Sequence, residues 1–329
     1  MSAPRAALLS RLKPDLYVVL ILAMVVVASL LPATGAAATG FGWATKVGIG
    51  LVFFLHGARL SRDAVIAGMT HWRLHLLVLS VTFVLFPLLG LGIAALPAAI
   101  TPSALAPGII LLGCLPSTVQ SSIGFTAIAR GNVAAAVAAA TASNLLGVLL
   151  TPLLVAATLH AAGGALSLGS VRTIVLQLLV PFIAGQVLRP WVGPWIQARG
   201  KVLSWVDRGA ILLVVYTAFS DAVAGGLWRK VGALDLVRVL VICAALLGVL
   251  LAATTLLARA LKFDKADEIA IVFCGSKKSL ASGVPMASVL FPAALVGPML
   301  LPLMIFHQIQ LMACAVIAQR YAARDASQG

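Results

Sequence analysis

The sequence predicts an all-α integral membrane protein of ten transmembrane helices, arranged as two inverted five-helix repeats. Three observations carry this reading. Of 329 residues, 62% are of the hydrophobic types and 10% are charged, whereas a soluble domain carries about a quarter charged residues. Cutting the chain at its charge, Pro and Gly clusters leaves ten apolar stretches, and a membrane-crossing helix needs ~20 such residues. The fourth and ninth stretches share an unusual polar interruption. This composition excludes a soluble enzyme, a nucleic-acid-binding module and a disordered chain. The net charge of +14 is read as basic loops on one membrane face.

In order, the spans run near 15–32, 43–57, 72–96, 107–129, 131–159, 170–189, 201–222, 233–261, 267–291 and 294–322. The first follows a basic tail with Arg5, Arg11 and Lys13; the second is short and ends before Arg59 and Arg62. A rival reading makes the first span a cleaved signal peptide ahead of Ala36-Ala37-Ala38, but the run is long for that and its loss would leave nine spans. Arg73 opens the third span, Arg130 parts the fourth from the fifth, and the Gly-rich His160–Gly164 closes the first half. Arg199 and Lys201 divide the sixth from the seventh, Arg229 and Lys230 precede the eighth, and Lys262 and Lys265 precede the ninth.

Ten spans return both termini to one side. With both ends cytoplasmic, fifteen basic residues fall in cytoplasmic segments, and five (Lys46, Arg172, Arg229, Lys230 and Arg238) fall opposite. That is the positive-inside bias. The resulting organisation is a cytoplasmic N-terminal tail 1–14, a first repeat 15–160, a connector 161–169, a second repeat 170–322 and a cytoplasmic tail 323–329.

The fourth span of each half is the odd one. Span four places Pro116, Ser117, Thr118, Gln120, Ser121 and Ser122 just after Cys114; span nine reads Cys274, Gly275, Ser276, Lys277, Lys278, Ser279. Because five is odd, a repeated five-span unit enters the membrane from opposite sides. Gly/Pro-interrupted spans at matching positions of inverted halves point to a transporter's midplane site. Breaking a helix frees N–H and C=O groups that lipid cannot satisfy, so they line a cavity or meet a ligand. The freed helix N-termini also attract anions. Taken singly, each serine serves equally well as a small packing residue between helices; the matched pair of clusters is the stronger sign.

Lys277 and Lys278 sit in mid-span, where a charge costs ~3 kcal/mol on insertion scales. Neighbouring helical residues point ~100° apart, so both lysines reach one site only if the helix breaks there; snorkelling to the interface is the bland alternative. Acids are scarce. Glu268, the single glutamate, begins span nine beside Asp264 and Asp267, while Asp207 and Asp221 bracket span seven. With no other carboxylate near the centre, a carboxylate-based sodium site has almost nothing to use. Two buried amines suit an anionic substrate, or a lysine that exchanges a proton. Supporting polar candidates are Thr141, Ser143 and Asn144 in span five, Gln177 and Gln186 around Pro181, and His307, Gln308 and Gln310 in span ten. His307 can relay protons or simply bridge helices. Cys114, Cys243, Cys274 and Cys314 lack metal-ligand spacing and read as free buried thiols.

These residues match a known pattern. The chain resembles the bile acid:sodium symporter family, and within it a branch of poorly characterised bacterial proteins that has a vertebrate relative. The likeness rests on Phe53–Gly57 with Trp72–Leu77, Leu115–Ser122, Arg130-Gly131-Asn132 leading to Thr151-Pro152-Leu153, Leu176-Gln177 through Val180–Gln186, Val215–Asp221, Phe273–Leu280 and His307–Gln310. It implies ten helices in two inverted repeats, split into a panel and a core, with broken helices four and nine crossing in the core. It also implies sodium-coupled uptake of organic anions.

Sodium-coupled relatives carry Glu-x-Gly-x-Gln-Asn-Ser at the ninth-helix crossing. Here Phe273 falls at the Glu, Lys277 at the Gln and Lys278 at the Asn, while Ala136 and Ala140 replace fifth-helix hydroxyls. Both sodium sites look depleted, and a lysine ammonium stands where one ion would sit.

The expected function is therefore a secondary active transporter in the bacterial inner membrane. It would move an organic anion, bile-acid-like or another small carboxylate or sulfonate, by alternating access with weak or absent sodium coupling. No cofactor is expected beyond a sodium ion or proton as coupling ion, and the partners are the solute and membrane lipid, not nucleic acid. The alternative is a non-transporting regulator or sensor on the same scaffold. An intramembrane enzyme ranks third, since His-Glu-x-x-His and Gly-x-Ser-x-Gly are missing, as is the phosphate loop of a primary pump.

Overall fold

Lipid offers no partner to a backbone N–H or C=O, so a chain this apolar must satisfy those groups within helices. The computed structural model does so: across the residues described, 16–59, 71–161 and 175–325, every regular element is helical. The tail 1–14, the connector beyond Ala161 and the tail beyond Asp325 lie outside the described residues, as do Arg62 and Arg172.

The helices are α1 (Leu16–Leu30), α2 (Gly35–Arg59), α3 (Trp72–Ala94), α4 (Ala106–Cys114), α5 (Gln120–Ile128), α6 (Val133–Ala161), α7 (Val175–Ala198), α8 (Gly200–Ala224), α9 (Leu227–Lys230), α10 (Ala233–Ala260), α11 (Lys265–Gly275), α12 (Leu280–Leu290) and α13 (Ala293–Asp325). Seven of them, α2, α3, α6, α7, α8, α10 and α13, are long and apolar enough to cross a membrane. The expected fourth and ninth spans are each two short helices, α4–α5 and α11–α12, with non-helical backbone between.

Some boundaries differ from the sequence reading. Helix α2 begins at Gly35, not near 43, because the alanines of 36–38 continue the helix; Lys46 is thus mid-helix, exposed, 4.8 Å from the Trp43 ring. Helix α7 continues through Pro190 and Pro194 to Ala198, past the expected end at 189. All four cysteines are free and buried.

Local chemistry explains several ends. Helices α5 and α10 close on left-handed Arg130 (φ 57°) and Lys262 (φ 58°). In each, the following N–H returns to a carbonyl five residues back, Gly131 to Thr126 at 2.8 Å and Phe263 to Ala258 at 3.0 Å, as in a Schellman closure. Asn132 then starts α6, its Oδ1 accepting from Ala135 N at 3.0 Å while its Nδ2 donates to Asp267 at 2.8 Å. Asp264 caps α11 through Asp267 N, and buried Glu268 accepts from Arg259, Lys265 and Tyr321.

Packing divides the helices into two groups. Helices α1, α2, α7 and α8 pack on one another; the others pack among themselves, α13 meeting α4, α5, α10 and α12, and α8 touches this second group through α12 and α13. Within the first group α2 and α7 seat glycine into backbone reciprocally. A Cβ on Gly57 would lie 2.0 Å from Phe182 O, and one on Gly185 would lie 2.1 Å from Phe54 O. Only glycine permits that approach, as in other small-residue membrane interfaces.

Candidate functional site

The two interruptions meet. Pro116 has no N–H to continue α4, and Leu115 is already extended (ψ 155°). On the other strand of the junction, Gly275 ends α11 and Ser279 caps α12 by accepting from Ser282 N at 3.1 Å. Ser279 N donates to Pro116 O at 2.9 Å, Ser117 Oγ to Cys274 O at 2.6 Å, and Ser122 Oγ to Phe273 O at 2.9 Å.

The freed backbone groups are largely answered by the chain itself. Thr151 donates to Cys114 O (2.8 Å), Asn144 to Ser117 O (2.7 Å), and Ser117 N to Ser143 Oγ (3.0 Å). Gln310 clamps Lys278 from both sides, its Oε1 accepting from Lys278 N and its Nε2 donating to Lys278 O, each at 2.9 Å. The sequence expectation was that these groups would face a cavity or a ligand. Instead, hydroxyls and amides from α6 and α13 complete them, which the low dielectric strongly favours.

The adjacent lysines have different surroundings, although both are 0% exposed. Lys278 Nζ donates to three carbonyls, Thr82 O at 2.8 Å, Gly113 O at 2.7 Å and Leu115 O at 2.5 Å, with the Phe86 ring 4.1 Å away. Thr82 lies in a π turn of α3, Val81–Leu85, a wide turn of the kind found at functional sites. Three carbonyls thus converge on one positive group. Lys277 Nζ has no hydrogen-bond partner among the described residues and lies over the rings of Phe125 (4.3 Å) and Phe273 (5.3 Å).

Beside the junction is a cavity of about 600 Å³. The first turns of α5 and α12 form part of its wall through Gln120, Ser121, Leu280, Ala281 and Ser282, with Thr118, Thr141, Asn144, Ser279 and His307 alongside. Asn144 Oδ1 accepts from Ser282 Oγ at 2.8 Å, tying α6 to α12 there. The opposite wall comes from α1, α2, α7 and α8: Tyr17, Phe53, His56, Arg59, Phe182, Ser204, Asp207, Arg208 and Ile211. The cavity therefore lies between the two helix groups.

Of the residues singled out in the sequence, Thr118, Gln120, Ser121, Thr141, Asn144, Ser279 and His307 reach this wall. Pro116, Ser117, Ser122, Ser143, Cys274, Gly275, Ser276, Lys277, Lys278 and Gln310 are packed within the junction behind it. Gln177, Gln186 and Asp221 belong to neither: the first two lie on α7, and Asp221 is near the end of α8. One expectation needs correction. Asp207 is not merely a flank of span seven; it is on the cavity wall and ion-paired with Arg59. His56, Arg59 and Arg208 were also missed as wall residues. The adjacent opposite charges Asp207-Arg208 inside an apolar run, and His56 within Phe53–Gly57, were the available signals.

Residues 15–323 match the SBF-like CPA transporter family. The chain is 60% identical to an uncharacterized protein of Pseudomonas aeruginosa, over 95% of each chain. It is 51% identical to YfeH of Escherichia coli, which carries a symporter's name, over 93% of this chain and 92% of that one. It is also 26% identical to sodium/bile acid cotransporter 7 of Xenopus tropicalis, over 94% of this chain and 92% of that protein. The family description and these two relatives' names are those of transporters, and with seven apolar helices of spanning length the chain is a multi-pass membrane protein.

Proposed function

Because the chain belongs to the SBF-like CPA transporter family, we propose that it is a secondary active transporter that moves an organic anion across the bacterial inner membrane by alternating access. The observation that carries this is the cavity between the two helix groups, onto which both interrupted helices present their first turns. Helix N-termini favour negative charge, and the name of the relative sodium/bile acid cotransporter 7 supports a bile-acid-like solute; another small carboxylate or sulfonate would meet the same helix ends.

In this reading α1, α2, α3, α4–α5 and α6 form one five-span half, and α7, α8, α10, α11–α12 and α13 form its inverted counterpart, with both termini cytoplasmic. Helices α1, α2, α7 and α8 are the panel; the rest are the core, in which the interrupted helices cross. Alternating access is relative motion of these two groups around the cavity.

Coupling to sodium is absent or weak, because the Lys278 ammonium already occupies a ring of three carbonyls. A fixed ammonium there supplies the positive charge without an ion, so the drive is a proton or exchange of one anion for another. Uptake of labelled cholate and smaller carboxylates into proteoliposomes, with a sodium or a choline gradient, tests this. Equal uptake under both gradients is expected. Obligatory sodium dependence would defeat the coupling reading, and solute binding without passage would defeat the transport reading.

A further inference from the structure

Charge bookkeeping on the cavity wall leaves one cation unmatched. Asp207 is the only carboxylate among the described wall residues, and its Oδ2 is engaged by Arg59. Arg208, the next residue, makes no ion pair among the described residues. Its guanidinium lies over two rings, 5.3 Å from Tyr17 and 5.6 Å from Trp205. Such ring contacts restrain the group, and its N–H donors have no carboxylate partner among the described residues, which leaves them to an oxyanion. Much of the remaining wall is apolar, including Phe53, Val148, Phe182 and Met286.

We propose that Arg208 is the anion-anchoring, specificity-determining residue of the cavity: it takes the carboxylate or sulfonate of an amphipathic monoanion whose apolar body lies against these side chains. This rests on the reading of the cavity as the solute site. Asp207 serves it by neutralising Arg59, so that one net positive charge remains and a singly charged solute balances it. Arg208 also borders a crevice of about 80 Å³ between α1 and α8, so a phospholipid phosphate is the other source of the same oxyanion chemistry.

The test is thermal stabilisation of the purified full chain in neutral detergent by naphthalenesulfonate, its uncharged sulfonamide, or phosphatidylglycerol. Sulfonate is expected to raise Tm and sulfonamide to leave it unchanged. Arg208→Gln should weaken the sulfonate response about 10- to 100-fold in half-saturating concentration, and Arg208→Lys should recover part of it. Arg238→Gln, which removes the guanidinium paired with Asp235 outside the cavity, should respond as wild type. Ser121→Trp, which fills the cavity, should abolish the response. A wild-type response in Arg208→Gln, with Ser121→Trp still blocking, overturns the Arg208 assignment and leaves the cavity standing. A response that survives Ser121→Trp overturns the cavity reading itself. Equal effects of sulfonate and sulfonamide, or an Arg208-dependent response to phosphatidylglycerol alone, also overturn the assignment.

Discussion

Replacing Lys278 by Met keeps an unbranched chain of similar length but removes the donor from Thr82 O, Gly113 O and Leu115 O. Each buried acceptor left unpartnered costs about 1–3 kcal/mol, a gross loss of about 3–9 kcal/mol. Removing the ammonium also relieves its own desolvation, which offsets several kcal/mol. The net expectation is a destabilisation of about 2–5 kcal/mol, read as a fall of several degrees in Tm by intrinsic fluorescence in detergent. Lys277→Met is the internal control: that amine has no hydrogen-bond partner, so its replacement should be neutral or stabilising. Neighbouring lysines thus give clearly unequal shifts, a fall for Lys278→Met and none, or a rise, for Lys277→Met. A third variant, Lys278→Ala, empties the ring, and its Tm should recover with sodium chloride but not with choline chloride. Equal shifts for the two Met variants, or a Lys278→Met protein as stable as wild type, would refute the view that the ammonium holds the junction together.

Two further outcomes follow from the packing. Gly57→Ala forces α2 and α7 apart, because its Cβ would meet Phe182 O at 2.0 Å; a loss of about 2 kcal/mol or more is expected, whereas Gly40→Ala, with nothing within 4 Å of its Cβ, should leave Tm unchanged. Arg59→Gln strips Asp207 of its ion pair while its other oxygen is already buried without a partner. It should therefore destabilise more than the double variant Arg59→Gln/Asp207→Asn, a non-additivity that a double-mutant cycle reads directly.

The helical class and the positions of both interruptions were legible because they rest on local physics. Apolar runs demand helices, and Pro116, Gly275 and the polar run after each interrupt them. That Lys277 and Lys278 are mid-span amines in need of an explanation was legible too, but not which of them the carbonyls would hold, nor that both would lie behind the cavity wall. What answers the broken backbone was not legible. Thr151, Ser143 and Thr82 look like ordinary small residues until α6 and α3 are laid against the junction, so the carbonyls were expected to await a ligand. The far wall of the cavity escaped for a different reason. His56, Arg59, Asp207 and Arg208 come from helices about 150 positions apart in sequence, and charges near the ends of apolar runs are naturally read as topology signals. Their meeting depends on α2 packing against α8, which no local pattern encodes.

Lys277 has two aromatic faces about its amine, the Cys274 and Cys314 thiols nearby, and no hydrogen-bond partner among the described residues. Phe125 and Phe273 belong to α5 and α11, so acylation of this nitrogen by a lipid-soluble reagent would report any parting of those two helices. The residue would thus serve as a built-in reporter of local opening, with its neighbour, tethered to three carbonyls, as the reference against which the signal is read.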